Sequence, residues 1–149
     1  MTRIEIYFDG ACKNVKDSVN EMYGCGVSVH INSQISKEHS ISKGFKEGGT
    51  SNIAEWEACL LAFQKAEQLF HEIDDLVDIK IFSDSEVITK QFNGEYQTRE
   101  PRFLKYRNEC ILISRRIKYG YINWIPREHN KEADQLSKQA LNSIRNDSK

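Results

Sequence analysis

Four acidic residues, far apart in the chain, each stand where one hydrophobic period ends or another begins. Asp9 closes the alternating run IEIYFD, and Asp84 follows the strand-like run DIKIFS. Glu55 lies near the start of a helical period in TSNIAEWEAC, and Asp134 near the start of another in NKEADQLSKQA. Ligands of open α/β sheets collect outside the carboxyl ends of the strands. A fold that seats these segments together therefore gathers acids at one spot. Crowded carboxylates repel and take up protons unless a cation is present, and oxygen donors of this kind suit a hard divalent ion.

The periodicities give the order βββαβααβα. Ile4, Ile6 and Phe8 alternate with Arg3, Glu5 and Tyr7, which predicts a strand over 3–9. A polar loop over 12–23 leads to strands over 24–31 and 35–45, joined by a turn at Asn32, Ser33 and Gln34. Ile53, Trp56, Leu60, Phe63 and Phe70 recur at helical spacing beside a smaller row of Cys59, Ala62, Ala66 and Leu69, so that helix can lie close to a sheet. A fourth strand is expected over 78–83, a short helix over 86–92 and a longer one over 101–117. A fifth strand over 119–126 and a last helix over 131–145 complete the order. Strand 4 follows a helical crossover, so it runs parallel to its neighbour. Strand 2 occupies one edge of strand 1, which leaves strand 4 the other. Asp9 and Asp84 then share one sheet end, and the helix of Glu55 enters over that end. Asp134 is placed with them by extension.

Composition sets bounds. The 149 residues suit a single domain over 1–149. A net charge of -1 leaves no strongly basic footprint, so any grip on nucleic acid has to be local. No apolar run approaches the roughly 20 residues of a membrane span, and MTRIEIYFDGA lacks a signal-peptide block. Cys12, Cys25, Cys59 and Cys110 show no zinc spacing and read as reduced thiols of a cytoplasmic protein. No obligate protein partner is evident.

Each acid also has an ordinary explanation. Asp9-Gly10 suits a type I′ hairpin turn. Asn52 with Glu55 three residues later resembles a capping box. Asp84 can cap the helix that starts at Ser85, and Asp134 suits the dipole of a first helical turn, where Glu132 competes for any role. Trp56 and Trp124 read most simply as core residues.

Asp9-Gly10-Ala11, Thr50 to Trp56, Ser83-Asp84-Ser85 and Ile125 to Leu136 together, in register across nearly the whole chain, resemble type 1 ribonuclease H. The closer likeness is to the short form related to the reverse-transcriptase ribonuclease H domain. The resemblance implies a ribonuclease H-like α/β fold. Its five-stranded mixed sheet has strands 1–3 antiparallel, strands 4 and 5 parallel to strand 1, and helices on both faces. It implies hydrolysis of the RNA strand of RNA/DNA hybrids with two Mg2+ or Mn2+ ions, leaving 5′-phosphate and 3′-hydroxyl ends. By similarity, Asp9 bridges both ions, Asp134 helps hold the one that positions water, and Glu55 and Asp84 hold the other. Gly10, Ala11, Cys12 and Asn52 match positions that touch the RNA strand. A same-fold nuclease acting on double-stranded RNA or DNA, and a non-catalytic hybrid-binding module, are the competing expectations.

The chain departs from the family in places. Residues 13–18 lack the Gly and Pro common in the first loop, and Ser51 replaces one of two adjacent Asn residues. The basic helical protrusion of the bacterial form is absent. His129, five residues before Asp134, is either an aid to proton transfer or product release, or a surface residue. Arg99, Arg102, Lys105 and Arg107, with Lys13 and Lys16, are candidate phosphate contacts.

Overall fold

A computed structural model describes residues 1–13 and 21–147. Residues 14–20 of the expected polar loop, Lys16 among them, lie outside the described residues. Strand β1 (Thr2–Cys12) pairs antiparallel with β2 (Glu21–Ile31) and parallel with β5 (Val77–Ser83). Strand β6 (Asn123–Trp124) adds parallel to β5. The other side of β2 pairs with β3 (Gln34–Ile35) and β4 (Ile41–Gly49), both antiparallel. The expected mixed sheet forms, with β5 beside β1.

Four strands differ clearly from their expected bounds. β1 and β2 run on to Cys12 and back to Glu21, with Asp9 facing Gly26 and Gly10 facing Cys25. Asp9-Gly10 is therefore strand, and the hairpin-turn alternative falls. The tight turn lies at Asn32 (φ 51°) and Ser33 (φ 69°), both in the left-handed region that a two-residue type I′ turn requires. The expected third strand is broken. The Ser40 hydroxyl bonds the Ser36 carbonyl at 2.7 Å and accepts the Val29 N–H at 3.1 Å, so a side chain takes over one ladder bond between β3 and β4. The expected fifth strand shrinks to two residues. The Asn93 amide accepts the Ile122 N–H at 2.9 Å and donates to its carbonyl at 2.8 Å, taking the groups a neighbouring strand would need.

Helix α1 (Ser51–Glu72) is capped by Thr50, whose hydroxyl accepts the Ile53 N–H at 3.1 Å. Asn52 is thus not the cap. Helix α2 (Glu86–Phe92) is capped by Ser85 rather than Asp84. Helix α3 (Pro101–Ile117) starts with Pro at its first turn and ends at Lys118 in the left-handed conformation. Helix α4 (Lys131–Asp147) carries Asp134 in its first turn.

The two sheet faces are covered differently. Ile4, Ile6 and Phe8 turn toward α1, where Trp56, Phe63 and Ala66 are fully buried. On this face the Cys25 thiol donates to the Ala54 carbonyl of α1. The opposite face carries Gly24 and Gly26, on which α4 lies. A Cβ at Gly26 would come within 2.1 Å of the Ala133 carbonyl oxygen and 2.6 Å of the Ser137 nitrogen. The missing side chain therefore sets how closely the first turns of α4 approach β2. Trp56 is buried as expected. Trp124 is 52% exposed on β6, an edge strand of the sheet.

Gly26→Ala should lift α4 from the sheet and lower unfolding stability by about 1–3 kcal/mol, the usual cost of overpacking. Urea denaturation of the purified variant measures it, and an unchanged midpoint would show that α4 yields without cost.

Candidate active site

The crossover topology places the ends of β1 and β5 side by side, and α1 closes over them. This closure is possible because residue 10 is glycine. A Cβ there would sit 2.4 Å from the Ala54 carbonyl carbon and 2.6 Å from the Glu55 nitrogen. With α1 seated so close, the Gly10 N–H donates to Asp9 Oδ1 at 3.0 Å and reaches Glu55 Oε1 at 3.4 Å. Asp84, just past the end of β5, completes the group. One carboxylate oxygen from each of Asp9, Glu55 and Asp84 lies within 4.8 Å of the others, an arrangement able to hold a metal ion.

Burial and mutual repulsion both act on these groups. Loss of solvent, then the charge of Asp84, push Asp9 up to about 7. Glu55 is held well above the usual carboxylate range by burial, then by Asp9. Its Oε2 is buried with no hydrogen-bond partner among the described residues. Asp84 is also raised, mainly by burial, while the Asn130 hydrogen bond and Arg127 oppose the rise. Asp134 stands at the rim. It adds to the repulsion on Asp9 and Asp84, and its own carboxylate pairs with Lys138 at 3.0 Å, outside the close trio.

Asn130 was not legible as a site residue, although it stands one turn before Asp134 in the NKEAD run. It is 1% exposed, and its Nδ2 donates to the Phe8 carbonyl at 2.9 Å and to Asp84 Oδ2 at 3.3 Å. It ties the end of β1, the third carboxylate and the start of α4 together. Glu132, the competitor of Asp134, accepts from Ser28 at 2.8 Å and meets His30 Nε2 at 2.8 Å, so it anchors α4 to β2.

Among the expected substrate contacts, Ala11 and Cys12 end β1, and Asn52 is exposed on the first turn of α1. His129 is exposed in a short 3-10 turn, Arg127–His129, beside a cleft shared with Tyr7 and His30. The basic segment divides. Arg107 bonds the Gln91 and Phe92 carbonyls at the end of α2, and Arg102 bonds the Gly48 carbonyl at 2.8 Å. Arg99 bonds Gln97, and Lys105 is exposed on α3.

Comparison with known proteins agrees with this arrangement. Residues 9–140 match the family model described as "Reverse transcriptase-like". Ribonuclease HI of Halobacterium salinarum is 29% identical over 96 residues, covering 62% of this chain and 44% of that protein. A bifunctional protein of Mycobacterium tuberculosis is 29% identical over 94 residues, or 63% of this chain and 24% of its own length. The matched region thus spans less than half of these curated relatives. The crystal structure of RNase H1 from Halobacterium salinarum superposes with a TM-score of 0.80 at 25% identity, over 95% of this chain and 98% of that one. LC11-RNase H1, solved in complex with RNA/DNA hybrid, gives 0.80 at 26% identity over 94% and 97%. The family match runs from the first carboxylate through the start of α4 and beyond, and on it the chain belongs to the reverse transcriptase-like family, with the fold of type 1 ribonuclease H.

Proposed function

We propose that this chain is an endonuclease that hydrolyses the RNA strand of RNA/DNA hybrids, working from one ribonuclease H-like domain. The observation that carries the reading is the carboxylate trio of Asp9, Glu55 and Asp84 with the buried, unpartnered Glu55 Oε2. A buried acceptor of this kind is costly unless something meets it, and a divalent cation is the partner that also relieves the repulsion. The residues therefore fit the metal. Asp9, Glu55 and Asp84 would hold it, with Asp134 supplying a further oxygen from the rim for a second ion, Mg2+ or Mn2+ in each case. Bound ions of this class supply Lewis-acid activation of water and stabilisation of the leaving oxygen, giving 5′-phosphate and 3′-hydroxyl ends. The relatives that are ribonuclease HI proteins, one of them solved with a hybrid, support the substrate.

The chain's own groups do the positioning. Gly10 N–H fixes Asp9 and Glu55, and Asn130 fixes Asp84. The Gly10 N–H is turned inward, so contact with the RNA strand falls to the rest of Gly10 to Cys12 and to the exposed Asn52. There the 2′-hydroxyl distinguishes RNA from DNA.

The purified protein with Mg2+ should cut a hybrid and lose that activity in EDTA. Equal cleavage of duplex RNA or duplex DNA would replace the substrate assignment, and binding of hybrid without cleavage would leave a binding module. Asp9→Asn should lower cleavage by roughly a thousandfold or more, since the ions contribute several kcal/mol to the barrier. Undiminished Mg2+-dependent cleavage by that variant would remove the mechanism.

The raised Asp9 also predicts a pH signature. Between its unfolded value of 3.8 and about 7 the folded protein holds a proton that the unfolded chain has released. Stability of the metal-free protein should therefore fall as pH rises through this window. Metal binding must expel the proton, so Mg2+ affinity should rise with pH across the same range. Thermal melts at pH 5 and pH 8, with EDTA and with Mg2+, test both. Asp9→Asn should reduce the EDTA dependence, leaving the part due to Glu55 and Asp84, and remove the Mg2+ response.

A further inference from the structure

A second cleft lies beside the carboxylate site, on the outer edge of the sheet. It is lined by Glu86, Thr89, Lys90, Asn93, Glu95, Tyr121 and Trp124, with a volume of about 280 Å³, near the lower end of the roughly 300–1,000 Å³ of small-ligand sites. Trp124 is 52% and Tyr121 54% exposed, and both line the cleft. Exposed large apolar groups gathered at one place mark a binding surface. The cleft joins the site through Trp124, whose indole N–H donates to the Asp84 carbonyl at 3.2 Å.

Two observations define what the cleft can take. The first is charge. Lys90 is answered by Glu86 at 2.7 Å and sits over the Tyr96 ring, and Glu95 adds a negative charge at the rim. No surplus positive charge is left for a phosphate. The second is an unmet polar atom. Thr89 is 4% exposed and lines the cleft, yet its hydroxyl has no hydrogen-bond partner among the described residues. Half-exposed aromatic rings, a buried hydroxyl to satisfy and no cationic surplus suit a neutral, flat, hydrogen-bonding ring system. Bases stack on such aromatics largely without regard to sequence.

We propose that this cleft binds an unpaired nucleobase of a nucleic-acid strand that continues past the metal site as a single strand. The source of that strand rests on the nuclease reading; the recognition of a base does not.

The chain has two tryptophans, and Trp56 is fully buried. Base stacking should therefore quench the emission of Trp124. The full-length protein in EDTA is titrated with a single-stranded oligoadenylate RNA, with inorganic polyphosphate as the parallel probe. Saturable quenching by the RNA and not by polyphosphate is expected. Tyr121→Ala should weaken binding about fivefold or more. Thr89→Val removes a buried unmet hydroxyl, so it should leave the melting temperature unchanged or higher while weakening the RNA. Circular dichroism checks the fold of both variants.

No quenching, equal competition by polyphosphate, or wild-type binding by both variants would overturn the proposal. Hybrid cleavage with Mg2+ is measured alongside. Normal cleavage without quenching removes the base site alone. Quenching in a protein that does not cut supports the base site and removes the nuclease reading.

Discussion

The closeness of α1 to the end of β1 is the constraint on which the site depends. Gly10 has no Cβ, and the backbone at Ala54 and Glu55 fills the space one would occupy. That seat carries the Glu55 carboxylate to the shared Gly10 N–H and so to Asp9. The same device recurs on the opposite face, where Gly24 and Gly26 admit α4. Two helices are thus brought to one sheet end by missing side chains. The burial of the core then holds charges together that would separate in water.

That arrangement stores an electrostatic cost. Asp9 is raised by burial and then by the charge of Asp84, Glu55 by burial and then by the charge of Asp9, and Asp84 by burial with Asp134 adding to it. Asn130 and Arg127 offset part of it at Asp84, and Gly10 part at Glu55. Of these only Arg127 carries positive charge, and all three carboxylates stay raised despite it. A fold selected only for stability would replace such acids, since surplus buried charge weakens the folded state. Their grouping beside a supporting amide network is an arrangement able to hold an ion.

Much of this was legible in the chain. Alternation in residues 3–9, the small-residue row of α1 and the helical crossover together placed β5 beside β1 and Asp9 beside Asp84. Glu55 followed from its place at the head of α1. The errors share one cause, which is side chains standing in for backbone partners. Ser40 interrupts the third strand and Asn93 truncates the last, and neither substitution leaves a mark in hydrophobic periodicity. Asn130 was missed for a related reason. A polar residue before a helix reads as a cap, whereas its role depends on Phe8 and Asp84, far away in sequence. Trp124 was misplaced because pattern shows that a residue lies in a strand, but not that the strand is at the edge of the sheet.

The net charge of -1 acquires a structural meaning once the basic groups are located. Arg107 is committed to the end of α2, Arg102 to the β4–α1 junction and Arg116 to an ion pair with Glu67. Lys138 faces Asp134 and Lys90 faces Glu86. These five of the 21 Lys and Arg residues are engaged within the protein, and with 22 acidic residues in the chain a polyanion finds little net charge to steer it. On the proposed nuclease reading, attraction for the scissile phosphate would come chiefly from cations held by Asp9, Glu55 and Asp84. Additional grip on the strand has to come from contacts that do not rely on charge, and the exposed rings beside Asp84 are of that kind.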